Sequence, residues 1–73
     1  MKYYLITLRS MTYALKAQKR LGDNGIASET IKLGSEYAKR GCTSGLRIDF
    51  RDKTAAERLL TASGIPYVAV RPL

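Results

Sequence analysis

From Lys2 to Leu8 the chain alternates, with Tyr4, Ile6 and Leu8 on one face and Tyr3, Leu5 and Thr7 on the other, the two-residue period of a strand. Its aromatic and β-branched content on both faces predicts a central place in a sheet. The period then lengthens. Ala14, Ala17 and Leu21 recur at helical spacing while Lys16, Lys19 and Arg20 point elsewhere, with Ser10 or Thr12 as the cap and Asp23-Asn24-Gly25 as the stop. Ile26 to Leu33 carries a second strand pattern, with Ala27, Glu29, Ile31 and Leu33 on one side. Its weaker apolar character and Lys32 predict an edge strand.

Gly34 to Gly45 breaks the periodicity, although Ser35 and the residues up to Gly41 fit one capped helical turn, followed by Cys42. Leu46, Ile48 and Phe50 alternate with Arg47, Asp49 and Arg51, which predicts a third strand with Phe50 on the packed face. Asp52, or a capping box from Thr54 to Glu57, opens a second helix with Ala56, Leu59 and Leu60 inward. Gly64 ends it, and Pro66 to Arg71 supplies a fourth strand.

The two halves match at an offset of 39: Ala17 with Ala56, Leu21 with Leu60, Gly25 with Gly64, Ile26 with Ile65. Two βαβ units, each crossing over right-handedly, interlock into a split βαβ arrangement. The predicted class is therefore α+β: one ferredoxin-like βαββαβ two-layer sandwich over residues 1–73, with antiparallel sheet order 4-1-3-2.

Composition narrows the chemistry. A chain of 73 residues supports one small core. It has no apolar run of about 18 residues and opens on a strand pattern, so neither a membrane span nor a leader is expected. One cysteine makes no internal disulfide, which suits a reducing, cytoplasmic setting. With no histidine, the chain lacks the ligands of a structural zinc site and the usual neutral-pH base, so neither a metal nor triad hydrolysis is expected. The net charge of +7 favours anionic partners, but the basic residues are scattered along the chain.

Cys42 is the one distinctive chemical group. A lone cysteine is most often a buried hydrophobe. Here the flanks Gly41, Thr43, Ser44 and Gly45 are small and polar, which predicts an exposed thiol in a tight loop. In the predicted topology this loop lies at the same end of the sheet as the start of the first helix, near Ser10, Met11 and Thr12. Backbone N–H groups at that helix start, Ser10, Thr12 and Gly41, together with Lys39, Arg40 and Arg47, would stabilise a thiolate. With no base in the sequence neighbourhood, such a thiolate suits accepting and passing on a sulfur-like atom better than turnover hydrolysis.

The succession of Tyr3-Tyr4-Leu5-Ile6-Thr7, a helix ending before Gly25-Ile26, Gly41-Cys42-x-x-Gly45-Leu46-Arg47-Ile48, and a helix ending at Gly64-Ile65-Pro66 resembles a family of small selenium- or sulfur-carrier-like proteins over nearly the whole chain. The resemblance implies a cytosolic protein that holds sulfur or selenium on Cys42 as a persulfide or selenosulfide. It implies donor and acceptor proteins as partners and no cofactor beyond that covalent atom.

Two other readings use the sheet face without helices. RNA-recognition domains share this element order and stack bases on strand aromatics; Tyr3 and Tyr67 beside Arg47 and Arg71 would serve. Against this, the third strand shows Arg47 and Asp49 where stacking rings belong. Alternatively, Tyr3, Leu5, Tyr67 and Ala69 form an apolar patch that pairs with a second copy as a homodimer.

Overall fold

Tyr3–Leu8 (β1) lies inside a four-stranded antiparallel sheet, as its two apolar faces require. The computed structural model describes residues 2–39 and 41–73. After β1 come helix Met11–Asp23 (α1), strand Ser28–Lys32 (β2), the short helix Ser35–Ala38 (α2), strand Ser44–Asp49 (β3), helix Lys53–Ala62 (α3) and strand Ala69–Pro72 (β4). The sheet order is β2-β3-β1-β4, which is the expected 4-1-3-2 counted from the other edge. The architecture is α+β, with an open sheet and, among the described residues, three α-helices.

The core forms where the even-numbered face of β1 meets the helices. Ile6, Leu8, Leu46 and Ile48 from the sheet pack with Ala14, Ala17 and Leu21 of α1, Ala56 and Leu60 of α3, and Ile26. The alanines let the helices approach the sheet closely. Each fully buried Leu or Ile side chain contributes roughly 1.5–3 kcal/mol.

The repeat at offset 39 has a structural counterpart. Both Gly25 and Gly64 adopt positive φ, 78° and 69°. In each helix end the glycine N–H donates three residues back, Gly25 to Gly22 at 3.1 Å and Gly64 to Thr61 at 3.2 Å. The following isoleucine N–H donates five back, Ile26 to Leu21 at 2.9 Å and Ile65 to Leu60 at 3.0 Å. Both helices thus end in the same Schellman turn, closed by an isoleucine over a leucine.

Three boundaries differ from the sequence pattern. β3 begins at Ser44, because Gly45 is strand and not loop: it pairs with Thr7 and Ile31 across the sheet. Phe50, expected on the packed face, is 49% exposed. The strand stops before it, because the Asp49 carboxylate accepts the Arg51 N–H at 2.9 Å and starts a turn of 3₁₀ helix over Phe50–Asp52. β4 begins at Ala69, later than Pro66: its ladder with β1 starts at the Thr7–Ala69 pair, and before it only the Val68 N–H reaches β1, donating to the Thr7 carbonyl at 2.8 Å.

Among the described residues no helix is long and apolar enough to cross a membrane.

Candidate functional site

The cysteine loop is drawn down onto one end of the sheet by a succession of main-chain bonds. The Leu33 N–H donates to the Thr43 carbonyl at 3.3 Å, closing the loop where β2 leaves the sheet. Gly34 caps α2, and Gly41, with φ 81°, reverses the chain after that helix while its N–H donates to Ala38 at 3.0 Å. The Cys42 N–H donates to the Tyr37 carbonyl at 3.0 Å, and the Thr43 N–H to the Leu8 carbonyl at 3.2 Å. The Thr43 hydroxyl donates to the Arg9 carbonyl at 3.0 Å, so the loop is tied to the β1–α1 junction by main chain and side chain.

This closure corrects one expectation. Cys42 is not exposed: it is 2% accessible and carries a free thiol. Small polar flanks argue for exposure only when a loop projects; here the turn at Gly41 and the bonds from Cys42 to Tyr37 and from Thr43 to Leu8 hold the loop against the protein. Continuing the alternation of β3 backwards places Cys42 on the face of Ser44, Leu46 and Ile48. Cys42 counts among the buried hydrophobic residues, although it is not one of the cluster that joins the sheet to α1 and α3.

The neighbours named from the sequence sit as follows. Ser10 is the N-cap of α1, its hydroxyl accepting the Tyr13 N–H at 3.3 Å, and Thr12 is exposed in the first turn. That turn carries no acidic residue. The junction meets the loop through Thr43 and through Ser44, whose hydroxyl donates to the Met11 sulfur at 3.9 Å. Lys39 caps the C-terminus of α2 and is exposed; Arg40 lies outside the described residues. Arg47 is turned away from the loop: its guanidinium pairs with Glu29 and lies 4.6 Å from the centre of the Tyr3 ring on the open face. A further cation at the loop is Arg9, whose guanidinium comes to 3.8 Å from where a Cβ on Gly41 would lie. Sequence reasoning stopped one residue short of it, because the topological argument that brings Ser10 to the loop applies equally to the last residue before the cap.

The open face also differs from expectation. Leu5 is only 4% accessible and Thr7 1%. The cover is internal: an added Cβ at Gly45 would meet the Leu5 side chain at 2.7 Å and that of Leu33 at 3.1 Å, so both leucines fold over the glycine. The Thr7 hydroxyl donates to the Ala69 carbonyl at 3.4 Å. Tyr67, expected on this face, packs instead against the core, because it precedes β4 and escapes the strand's alternation. Arg71 is opposite Leu5 and exposed. The face therefore presents one half-buried ring, Tyr3, under an arginine. Neither a pair of stacking aromatics nor a bare apolar patch is formed by the four residues named for it.

Two ionisable groups are perturbed, both far from the loop in the chain. The Arg51 backbone N–H and guanidinium beside Asp49 hold its carboxyl below the usual 3.8. The hydrogen bond from Lys53 to Glu57 holds the ammonium above its usual 10.5. Among the described residues no group of three or more His, Cys, Asp or Glu is placed to hold a metal ion.

The model of the family described as "Putative Se/S carrier protein-like" matches residues 3–71, nearly the whole chain. No curated protein and no solved structure matches it.

Proposed function

Because the chain belongs to the Se/S carrier-like family, we propose that it carries sulfur or selenium on Cys42, using a ferredoxin-like framework to hold the loop. The observation that supports this reading most is that the chain's one cysteine lies where the β1–α1 junction and the α2–β3 loop are tied together. The chemistry is a transfer between sulfurs. The Cys42 thiolate attacks the terminal sulfur of a donor persulfide; a sulfur–sulfur bond forms at Cys42, the donor's own sulfur–sulfur bond breaks, and the donor thiolate leaves with the electron pair. Unloading repeats this exchange with an acceptor thiolate. No net oxidant is consumed, and the same accounting holds for a selenium atom in place of the moving sulfur.

Burial gives the carrier reading a physical content that exposure would not. A thiol open to solvent exchanges its cargo with any small thiol it meets, whereas a buried one exchanges only when its surroundings open locally. The loop before it in the chain is loosely packed among its described residues: α2 buries none of its own, and Tyr37 is half-buried. Opening it costs less than unfolding the core. The donor and acceptor are partner proteins or small thiols in a reducing cytoplasm, and no step requires a metal or a resident cofactor.

Loading is read by intact mass. After incubation with a persulfide donor under native conditions the protein should gain one sulfur atom, the gain should disappear on treatment with dithiothreitol, and Cys42→Ser should abolish it. Wild-type protein that stays unmodified while a small thiol in the same tube is loaded would end the proposal.

A further inference from the structure

Arg9 does more than border the cysteine loop. Its side chain also lines a surface hollow of about 340 Å³ with Pro66, Tyr67 and Val68, the segment that leads into β4. One residue therefore borders both the loop, where its guanidinium approaches Gly41 next to Cys42, and that hollow. The hollow is large enough for a small ligand, at the lower end of the range of about 300–1,000 Å³ for such sites.

Its chemistry is selective. Three of the protein's six carboxylates, Glu29, Asp49 and Glu57, are paired with Arg47, Arg51 and Lys53. Arg9 has no carboxylate partner among the described residues. Beside it Val68 is 44% exposed although its N–H is already bonded to the Thr7 carbonyl at 2.8 Å, so the segment is fixed and its apolar side chain is left bare. A larger hollow of about 420 Å³ lies at the other end of β3, but there Arg47 and Arg51 are already neutralised by Glu29 and Asp49. An arginine without a carboxylate partner, beside a lining of mixed character in which Pro66 and Val68 are apolar and Tyr67 carries a hydroxyl, suits a carboxylate on a short aliphatic body.

We infer that the Arg9 hollow binds a small carboxylate-bearing thiol compound, the donor or acceptor of the sulfur, and presents its sulfur toward the Cys42 loop. The inference rests on the carrier reading for its purpose but not for its geometry. Arg9 holds the carboxylate, Val68 and Pro66 contact the aliphatic body, and the loop opens beside it. The transfer itself is the exchange already described, with the carboxylated compound as the persulfide that loses its terminal sulfur or the thiolate that gains it.

Two measurements separate this inference from the reading it rests on. S-methylglutathione, which bears carboxylates and cannot transfer sulfur, is titrated into the full chain by NMR; amide shifts should concentrate at Arg9, Val68 and Gly41. Arg9→Gln should weaken binding about tenfold, and Arg9→Lys should lose less, as expected for one charge-assisted carboxylate contact. Binding with the same affinity to Arg9→Gln, or no binding, overturns the inference whether or not Cys42 accepts sulfur. Loading is then compared between glutathione persulfide and its dimethyl ester persulfide. The wild type should prefer the free acid about tenfold and Arg9→Gln should show no preference; equal rates in the wild type also overturn it. Binding at Arg9 without any adduct on Cys42 would leave the site standing and remove the carrier reading.

Discussion

At the scale of the residue, Gly45 governs more than its size suggests. It is the position over which Leu5 and Leu33 close, and a methyl group there would also come to 3.3 Å from the Ile6 carbonyl oxygen. The leucine tips can turn aside, but the carbonyl belongs to β1 and cannot. Gly45→Ala should therefore destabilise the protein by about 1–3 kcal/mol, as overpacking does, seen as a lower urea midpoint with unchanged slope. Asp49 makes the pH-dependent counterpart. Its carboxyl is held below 3.8 in the folded state, so its contribution is fully present above 3.8 and fades as pH falls through the lower folded value. The gap in stability between wild type and Asp49→Ala should stay constant from neutral pH down to that point and then narrow; urea midpoints across an acid series read it. None of these environments was legible beforehand. Gly45 reads as a loop breaker in sequence, and only pairing with Thr7 and Ile31 reveals a strand glycine. The burial of Cys42 was hidden for a related reason: it depends on a chain reversal at Gly41 and a bond to Tyr37, neither of which leaves a periodic trace.

At the scale of the element, periodicity carried most of the fold. The alternation of Tyr4, Ile6 and Leu8 and the spacing of Ala14, Ala17 and Leu21 reappear as the packed faces of β1 and α1. The repeat at offset 39 was legible because both of its halves encode the same helix stop, and the stop needs a glycine for a conformational reason. Gly25 and Gly64 have open space around an added Cβ, so substitution there costs only what positive φ costs an L-residue. Gly25→Ala and Gly64→Ala should each lower stability by roughly 1–2 kcal/mol, and by similar amounts, since the two turns share their geometry. Chemical denaturation of the two variants side by side measures this; a negligible effect at one site would mean the turns are not equivalent. Phe50 marks where periodicity misleads. Leu46, Ile48 and Phe50 continue one face on paper, but Asp49 can cap its own downstream backbone, and local capping ends the strand first.

At the scale of the whole molecule, the topology brings to one end of the sheet what the chain keeps apart. Arg9, Cys42 and the Pro66–Val68 segment converge there, whereas the ion pairs of Arg47 and Arg51 lie toward the other end of β3. Among the described residues the cations in ion pairs are Arg47, Arg51 and Lys53, and the cysteine end carries Arg9, Lys32 and Lys39, all exposed. The same end holds the buried thiol, a few residues along the chain from a short helix that buries none of its own residues. A protein built this way should keep its cargo when left alone and release it to an acceptor without unfolding.

That behaviour is the most direct test. Protein loaded with one sulfur atom on Cys42 is desalted, held in buffer, and then given a small acceptor thiol with no denaturant, while intact mass and the acceptor's persulfide are followed together. The account predicts that the added mass survives the hold and moves to the acceptor, with native circular dichroism throughout. Loss of the sulfur during the hold, or transfer that occurs only once urea unfolds the domain, would contradict it.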